Sequence, residues 1–139
     1  MDIEYKDNAS YTIDEMINLY RRSTLGERRP LDRPDIFEKM RDCANLVITA
    51  WDGDKLVGIA RSFTDFGYVT YLADLAVDAA YQKKGIGKRL VEETRAHLEP
   101  TCKIVLLAAP QANEYYPRIG FSHNPRAWVL KGEIAFTSD

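Results

Sequence analysis

The sequence predicts an α+β domain in which helices pack against one mixed sheet. Three observations carry this. Short apolar runs of strand length cluster in the middle of the chain. Amphipathic stretches with helical spacing flank that cluster. The order β-α-α-β-β-β-α-β-α-β does not alternate strand and helix strictly, as a parallel α/β sheet would. With 139 residues and no repeat, low-complexity tract or linker, one domain over residues 1–139 is expected.

Residues 3–6 form a short first strand. "TIDEMINLYRRS" predicts a helix, with Thr12 as cap, Glu15 completing a capping box, and Ile13, Met16, Ile17 and Tyr20 on one face. After a polar loop, Pro34 suits the first turn of a second helix carrying Ile36, Phe37 and Met40. "NLVITAWDGDKLVGIARSF" reads as a hairpin turning at Asp-Gly-Asp. In "YVTYLADLAV", Val69, Tyr71, Ala73, Leu75 and Val77 share one face. Thr70, Leu72, Asp74 and Ala76 share the other, so the strand is expected inside the sheet. "GIGKRLVEETRAHL" gives a helix with a stripe of Ile86, Leu90, Thr94 and Leu98, broadened by Val91. "KIVLLAA" is continuous and apolar, which predicts a strand buried on both faces. "QANEYYPRIGF" reads as a short helix closed by Gly120 and shortened or bent by Pro117. "AWVLKGEIAF" supplies one last strand, or two broken at Lys131–Gly132, whose exposed edge could pair in a homodimer.

Composition narrows the class. The net charge of -2 argues against nucleic acid as the main partner. No apolar run approaches the ~20 residues that span a bilayer, and the acidic N-terminus is unlike a secretory signal. Cys43 and Cys102 are far apart and read as small apolar fillers, which suits a reducing, cytoplasmic setting. No His, Cys, Asp or Glu cluster has metal-ligand spacing, so no metal is expected. Neither a G-x-S-x-G motif nor a recognisable Cys–His pair is present, so the sequence offers no paired nucleophile for covalent catalysis.

The segment "YQKKGIGKRLV" is the informative one. Gly85 and Gly87 open a helix among Lys83, Lys84, Lys88 and Arg89. Cations at a helix N-terminus each cost ~0.3–1 kcal/mol, because they face the positive end of the dipole. An anion held by the first main-chain N–H groups would reverse that cost. Glycine lets a bulky phosphate approach the main chain. The third glycine of a dinucleotide fingerprint is missing, since Leu90 stands three residues after Gly87, and no P-loop is present.

"QKKGIG" is similar to the Q/R-x-x-G-x-G/A signature of the GNAT superfamily of acetyl-CoA-dependent N-acetyltransferases. About thirty residues on, "ANEYYPRIGF" resembles that family's second recurring segment. The resemblance is good from Asp74 to Phe121 and loose elsewhere. It implies a mostly antiparallel sheet with splayed central strands and helices on both faces. Acetyl-CoA would be the cosubstrate and a small-molecule or peptide amine the acceptor, attacked directly in a ternary complex. A non-catalytic module that senses CoA or acetyl-CoA on the same fold is the alternative.

By the same resemblance, main-chain groups of Leu75, Ala76 and Val77 would meet the pantetheine arm and stabilise a developing oxyanion. The amides of Lys83, Lys84, Gly85, Ile86, Gly87 and Lys88 would hold the diphosphate, with Gln82 beside them and Asn113 on the cofactor arm. Tyr116 would protonate the departing thiolate. Asp74, opposite Leu75 in strict alternation, is the first candidate base, on the premise that burial raises its pKa; equally it is a structural hydrogen-bonding group, and a strand bulge in this region would change which way it points. Arg28, Arg29 and Arg33 border the expected acceptor loop. They are either solvated or select an acidic acceptor. Phe63, Phe66, Tyr68 and Tyr71 suit core packing by residue type, or else an aromatic acceptor pocket.

Overall fold

The computed structural model describes residues 2–133, which form two compact units, one ending at Leu107 and the other beginning at Ala108. In the first unit the chain runs β1 (Ile3–Asp7), α1 (Ile13–Arg21), α2 (Pro34–Cys43), β2 (Leu46–Asp52), β3 (Lys55–Thr64), β4 (Val69–Val77), α3 (Ile86–Ala96) and β5 (Lys103–Val105). The five strands form one sheet in sequence order. Four are antiparallel neighbours, and β5 runs parallel to β4. The expected mixed, mostly antiparallel sheet is therefore present.

Local chemistry sets the helix ends. The Thr12 hydroxyl accepts from the Glu15 N–H at 3.0 Å, and the Glu15 carboxylate accepts from the Thr12 N–H at 2.9 Å. The capping box is thus closed in both directions. Thr12→Ala is expected to cost about 1 kcal/mol of unfolding free energy, read by urea denaturation. Pro34 occupies the first turn of α2, where its missing N–H costs nothing.

Helices cover both faces. On one, Met16, Leu19 and Tyr20 of α1 and Phe37 of α2 pack with Ile59 and Ala76. On the other, α3 lies so close to Gly58 that an added Cβ would stand 3.1 Å from Leu90 and 3.2 Å from Ile86. Gly58 is where α3 meets the sheet, and a side chain there would need these neighbours to give by a few tenths of an ångström.

Three expectations fail. The "KIVLLAA" run is not a buried strand. Only Lys103–Val105 pair with β4, on one edge, and Val105 and Leu107 are exposed. Continuous hydrophobicity predicts burial only when neighbours cover both faces, and among the described residues none does so. Cys43 is exposed and no core filler, whereas Cys102 is buried against the Thr70 hydroxyl at 3.3 Å. β4 lies inside the sheet as expected, but its alternation breaks at Ala73: Asp74 pairs with Arg61 and Leu72 with Ser62, so Asp74 and Ala76 leave the face of Thr70 and Leu72 and join that of Tyr71.

The second unit holds a short 3-10 turn at Pro110–Ala112 and α4 (Tyr115–Arg118). Pro117 falls within the first turn of α4, so it shortens the helix without breaking a bond. Gly120 follows with φ +99°, the left-handed stop expected of it. Residues 127–133 are not strand, contrary to expectation, and Trp128, Val129 and Leu130 are exposed. The rest of the expected C-terminal strand lies outside the described residues.

Candidate active site

Strand β4 and the turn after it build the site. Arg61 of β3 pairs with Asp74, but the next residue, Ser62, pairs with Leu72. Ala73 is the extra residue of a bulge. On its other edge, β4 pairs with β5 only through Val69, Thr70 and Tyr71. Beyond Tyr71 the two strands part. Successive residues of a strand direct their main-chain groups to alternate edges. Part of the main chain of Leu72–Val77 therefore faces away from β3 with no β5 residue paired to it. Leu75, Ala76 and Val77 pair with Ala60, Ile59 and Gly58 on the β3 side only.

The turn from β4 into α3 is pinned from several directions. Asp78 is buried. Its N–H donates to the Val57 carbonyl at 2.9 Å, and its carboxylate caps the Ala80 N–H at 2.9 Å. The same carboxylate accepts from Arg22 Nε at 2.8 Å, while the Arg22 carbonyl accepts from the Ala79 N–H at 2.8 Å. The end of α1 is thereby fastened to the turn. Gln82 Nε2 donates to the Val77 carbonyl at 3.1 Å. Lys83 and Gly85 both have left-handed φ, +63° and +82°.

Gly85 is the N-cap of α3 and no side chain caps the helix. The first intrahelical bond runs from the Arg89 N–H to the Gly85 carbonyl at 3.0 Å. The N–H groups of Ile86, Gly87 and Lys88 therefore have no partner within the helix. The first turn carries no acidic residue. A Cβ at Gly85 would meet nothing within 4 Å, so the main chain there is open to a close approach. These groups fit a diphosphate: an open backbone, donors without a partner inside the helix, the positive dipole end and the exposed Lys83, Lys84 and Lys88. Arg89 is exposed as well. Its guanidinium lies 4.8 Å from the centre of the Tyr5 ring and 3.7 Å from the Glu93 carboxylate.

Asp74 is buried, on the face that the bulge gives it beside Arg61 rather than on that of Thr70 and Leu72, and it is not a free carboxylate. Oδ2 accepts from the Tyr20 hydroxyl and from Arg61 Nε, both at 2.6 Å. Oδ1 accepts from Arg29 Nε at 2.8 Å and Nη2 at 2.6 Å. Burial alone would push its carboxyl up. The Arg61 and Arg29 charges, with hydrogen bonds from Arg61 and Tyr20, outweigh burial and hold it below the ordinary carboxylate value. That reverses the raised pKa on which the base assignment rested. Arg29, expected in a solvated or acceptor-binding role, spends its fork on Asp74 and on the carbonyl of the bulged Ala73 at 3.0 Å. Arg33 pairs with Asp35 at 2.7 Å on the surface.

Arg61, Arg22 and Asp78 escaped the sequence reading. Arg61 left one trace: a cation inside the apolar run "LVGIARSF" needs a buried partner. In the second unit, Asn113 caps the 3-10 turn that precedes α4. The Tyr116 ring packs edge-on to Tyr115 at 5.3 Å and Phe121 at 5.5 Å. Burial, followed by the neighbouring Tyr115, pushes its phenol above the ordinary tyrosine value.

The description of the acetyltransferase (GNAT) family matches residues 13–121, which include β4, the glycine turn and α4. The chain belongs to the GNAT acetyltransferase family. Among its GNAT relatives, the chloroplastic GCN5-related N-acetyltransferase 2 of Arabidopsis thaliana is 38% identical over 80 residues, covering 56% of this chain and 30% of that protein. The uncharacterized N-acetyltransferase ycf52 of Pyropia yezoensis is 29% identical over 131 residues, covering 88% of this chain and 75% of its own. The chain thus spans less than a third of the length of the Arabidopsis protein. The GNAT fold recurs in a probable acetyltransferase of meticillin-resistant Staphylococcus aureus, with TM-score 0.77 at 21% identity over 96% of this chain and 100% of that one. It also recurs in an aminoglycoside N-acetyltransferase, AAC(6')-Iy, in complex with CoA, with TM-score 0.70 at 14% identity over 96% of each chain. Among the described residues of this GNAT chain, no helix is long and apolar enough to cross a membrane.

Proposed function

We propose that residues 1–139 act as one N-acetyltransferase domain, moving acetyl from acetyl-CoA to a primary amine of a small molecule or peptide in a ternary complex. The observation that carries this is the uncapped start of α3 at Gly85, beside the stretch of β4 that β5 leaves unpaired. Acetyl-CoA supplies a thioester carbonyl and a thiolate leaving group. The N–H groups of Ile86, Gly87 and Lys88, with those of Lys83, Lys84 and Gly85, hold the diphosphate. The free edge of β4 at Leu75, Ala76 and Val77 takes the pantetheine amides, and a main-chain N–H there steadies the carbonyl oxygen as charge grows on it. Gln82 fixes the turn, and Asn113 contributes to the cofactor arm. The neutral amine forms a C–N bond as the C–S bond breaks. The amine loses one proton to solvent, and the sulfur gains one from the Tyr116 hydroxyl.

Asp74 is better cast as a positioning residue than as the base. Its carboxylate joins Tyr20 of α1, Arg29 of the following loop and Arg61 of β3 at the bulge. It thereby fixes the curvature of β4 just before the proposed oxyanion donors.

Calorimetry of the chain with acetyl-CoA and with CoA tests the reading, together with thiol release across polyamines, amino acids, aminoglycosides, arylalkylamines and N-terminal peptides. Binding of both coenzymes and turnover of at least one amine are expected. Well-folded protein that binds neither coenzyme would exclude the site. Gly85→Ala is expected to raise the acetyl-CoA KM about tenfold, equivalent to about 1.4 kcal/mol. The methyl group would strain a left-handed φ by roughly 1–2 kcal/mol and intrude where the phosphate approaches.

A further inference from the structure

The aromatic residues of the β3–β4 hairpin, expected by type to be core, are exposed, and their placement bears on the acceptor. Phe63 of β3 pairs with Tyr71 of β4, and Tyr71 pairs with Val105 of β5. These three side chains form a row across adjacent strands, roughly 10 Å wide. They are 38%, 41% and 44% exposed, and Val69 beside them 39%. Phe63 follows Arg61 by two residues in β3 and therefore shares its face. The Arg61 guanidinium lies 5.4 Å from the centre of the Phe63 ring. The row thus continues the face that carries Asp74. It also ends at the last residue of β4 that β5 pairs with, at the mouth where the strands part.

We infer that this row seats the body of the acceptor, and that the acceptor is a monoamine on an aromatic or branched apolar body. The inference rests on the acetyl-transfer reading above. A ring lying on Tyr71 with a two- to four-carbon arm brings its amine to the bulge at Ala73, two residues along the strand, roughly 7 Å away.

Charge points the same way. Arg29 and Arg61 together face the single carboxylate of Asp74, which leaves one net positive charge at that end of the face. Such a field opposes an acceptor with several ammonium groups and favours the neutral form of a lone amine. An acidic acceptor finds the arginines already engaged. Arg29 binds Asp74 and the carbonyls of Ala73 and Arg28, and Arg61 binds Asp74 and the carbonyl of Met40. The size of the patch argues against a second copy of the chain. Its four side chains expose on the order of 300 Å², short of the roughly 800 Å² per partner that a standard interface buries.

The test measures kcat and KM for phenethylamine, tryptamine and isoamylamine against spermidine, kanamycin and glutamate. It uses the wild type, Phe63→Ser and Tyr71→Ser, with calorimetric acetyl-CoA affinity and solution mass alongside. Phenethylamine is expected to exceed spermidine and kanamycin at least tenfold in kcat/KM. Each serine variant should raise its KM about tenfold with kcat and acetyl-CoA affinity unchanged. Preference for a polycation or an amino acid overturns the acceptor assignment, as does an unaltered phenethylamine KM in both variants. Conversion of a dimer to a monomer with KM unaltered also overturns it, and makes the face an interface between copies. Acetyl-CoA binding with no preference for apolar amines removes this assignment alone. Absence of acetyl-CoA binding removes the underlying reading with it.

Discussion

Tyr116→Phe is expected to lower kcat by about a hundredfold while leaving acetyl-CoA affinity within about twofold. The substitution removes one hydroxyl and keeps the ring, so the edge-on contacts with Tyr115 and Phe121 persist. On the proposed mechanism, what is lost is the proton for the departing sulfur. A phenol near ~10 giving its proton to a thiolate near ~8.5 works uphill by ~2 kcal/mol in water. An environment that lowered the phenol would have erased that gap. Burial, then Tyr115, raises it instead. The phenol is therefore a weaker acid here than in water, and the uphill gap is widened rather than erased. A raised value also keeps Tyr116 in its donating form, so kcat should show no alkaline fall attributable to it below pH ~10. Steady-state kinetics from pH 6 to 10 on both proteins check this. An unchanged kcat in Tyr116→Phe would assign the proton to another donor. A CoA-sensing module would turn over in neither form.

Asp74→Asn is expected to cost about 3–5 kcal/mol of stability, because it leaves two buried or half-buried guanidiniums facing a neutral amide. The melting temperature should fall by roughly 10 °C or more. A catalytic base would behave differently: the variant would fold normally and lose only turnover. The pH dependence follows from the direction of the shift. The folded carboxyl sits below its unfolded value, held there by Arg61 and Arg29 against the opposing effect of burial. Its contribution is therefore complete above the unfolded value near ~3.9 and is lost as pH falls through the folded one. Thermal unfolding between pH 3 and 7 should show the wild type losing stability at the acid end and Asp74→Asn losing much less. Equal acid sensitivity would place the acid-labile group elsewhere.

Some of this was legible in order along the chain. The capping box at Thr12, the Asp-Gly turn at residues 52–53 and the glycine start of α3 are each written within four or five residues. Their physics is local: a side-chain oxygen within reach of a nearby N–H, or a backbone angle that glycine adopts freely. The stripe Ile86, Leu90, Val91 and Thr94 is likewise a local period, and those residues are buried. The Gly85 turn could be read for the same reason. An uncapped helix start ringed by lysines contradicts helix stability within its own seven residues.

The chemistry of Asp74 could not be read that way. Its partners stand 54, 45 and 13 residues away, and no window of sequence joins Tyr20, Arg29, Arg61 and Asp74. A buried aspartate without those arginines would be a raised carboxyl and a plausible base. With them it is a depressed one that binds the bulge. The aromatic row was equally ambiguous. Phe63 and Tyr71 have the composition of core residues, and the pairing that sets them beside Val105, with no helix laid over them among the described residues, exposes them.

The sequence alone thus determined the class of fold, the order of its elements as far as α4 and the turn suited to a diphosphate, because caps, periods and left-handed glycines act over one or two turns of chain. The tertiary structure decided which carboxylate is neutralised, which apolar strand stays open and which aromatics face out. Burial and ion pairing are sums over neighbours brought in by the sheet, and the sheet's neighbours are distant in sequence.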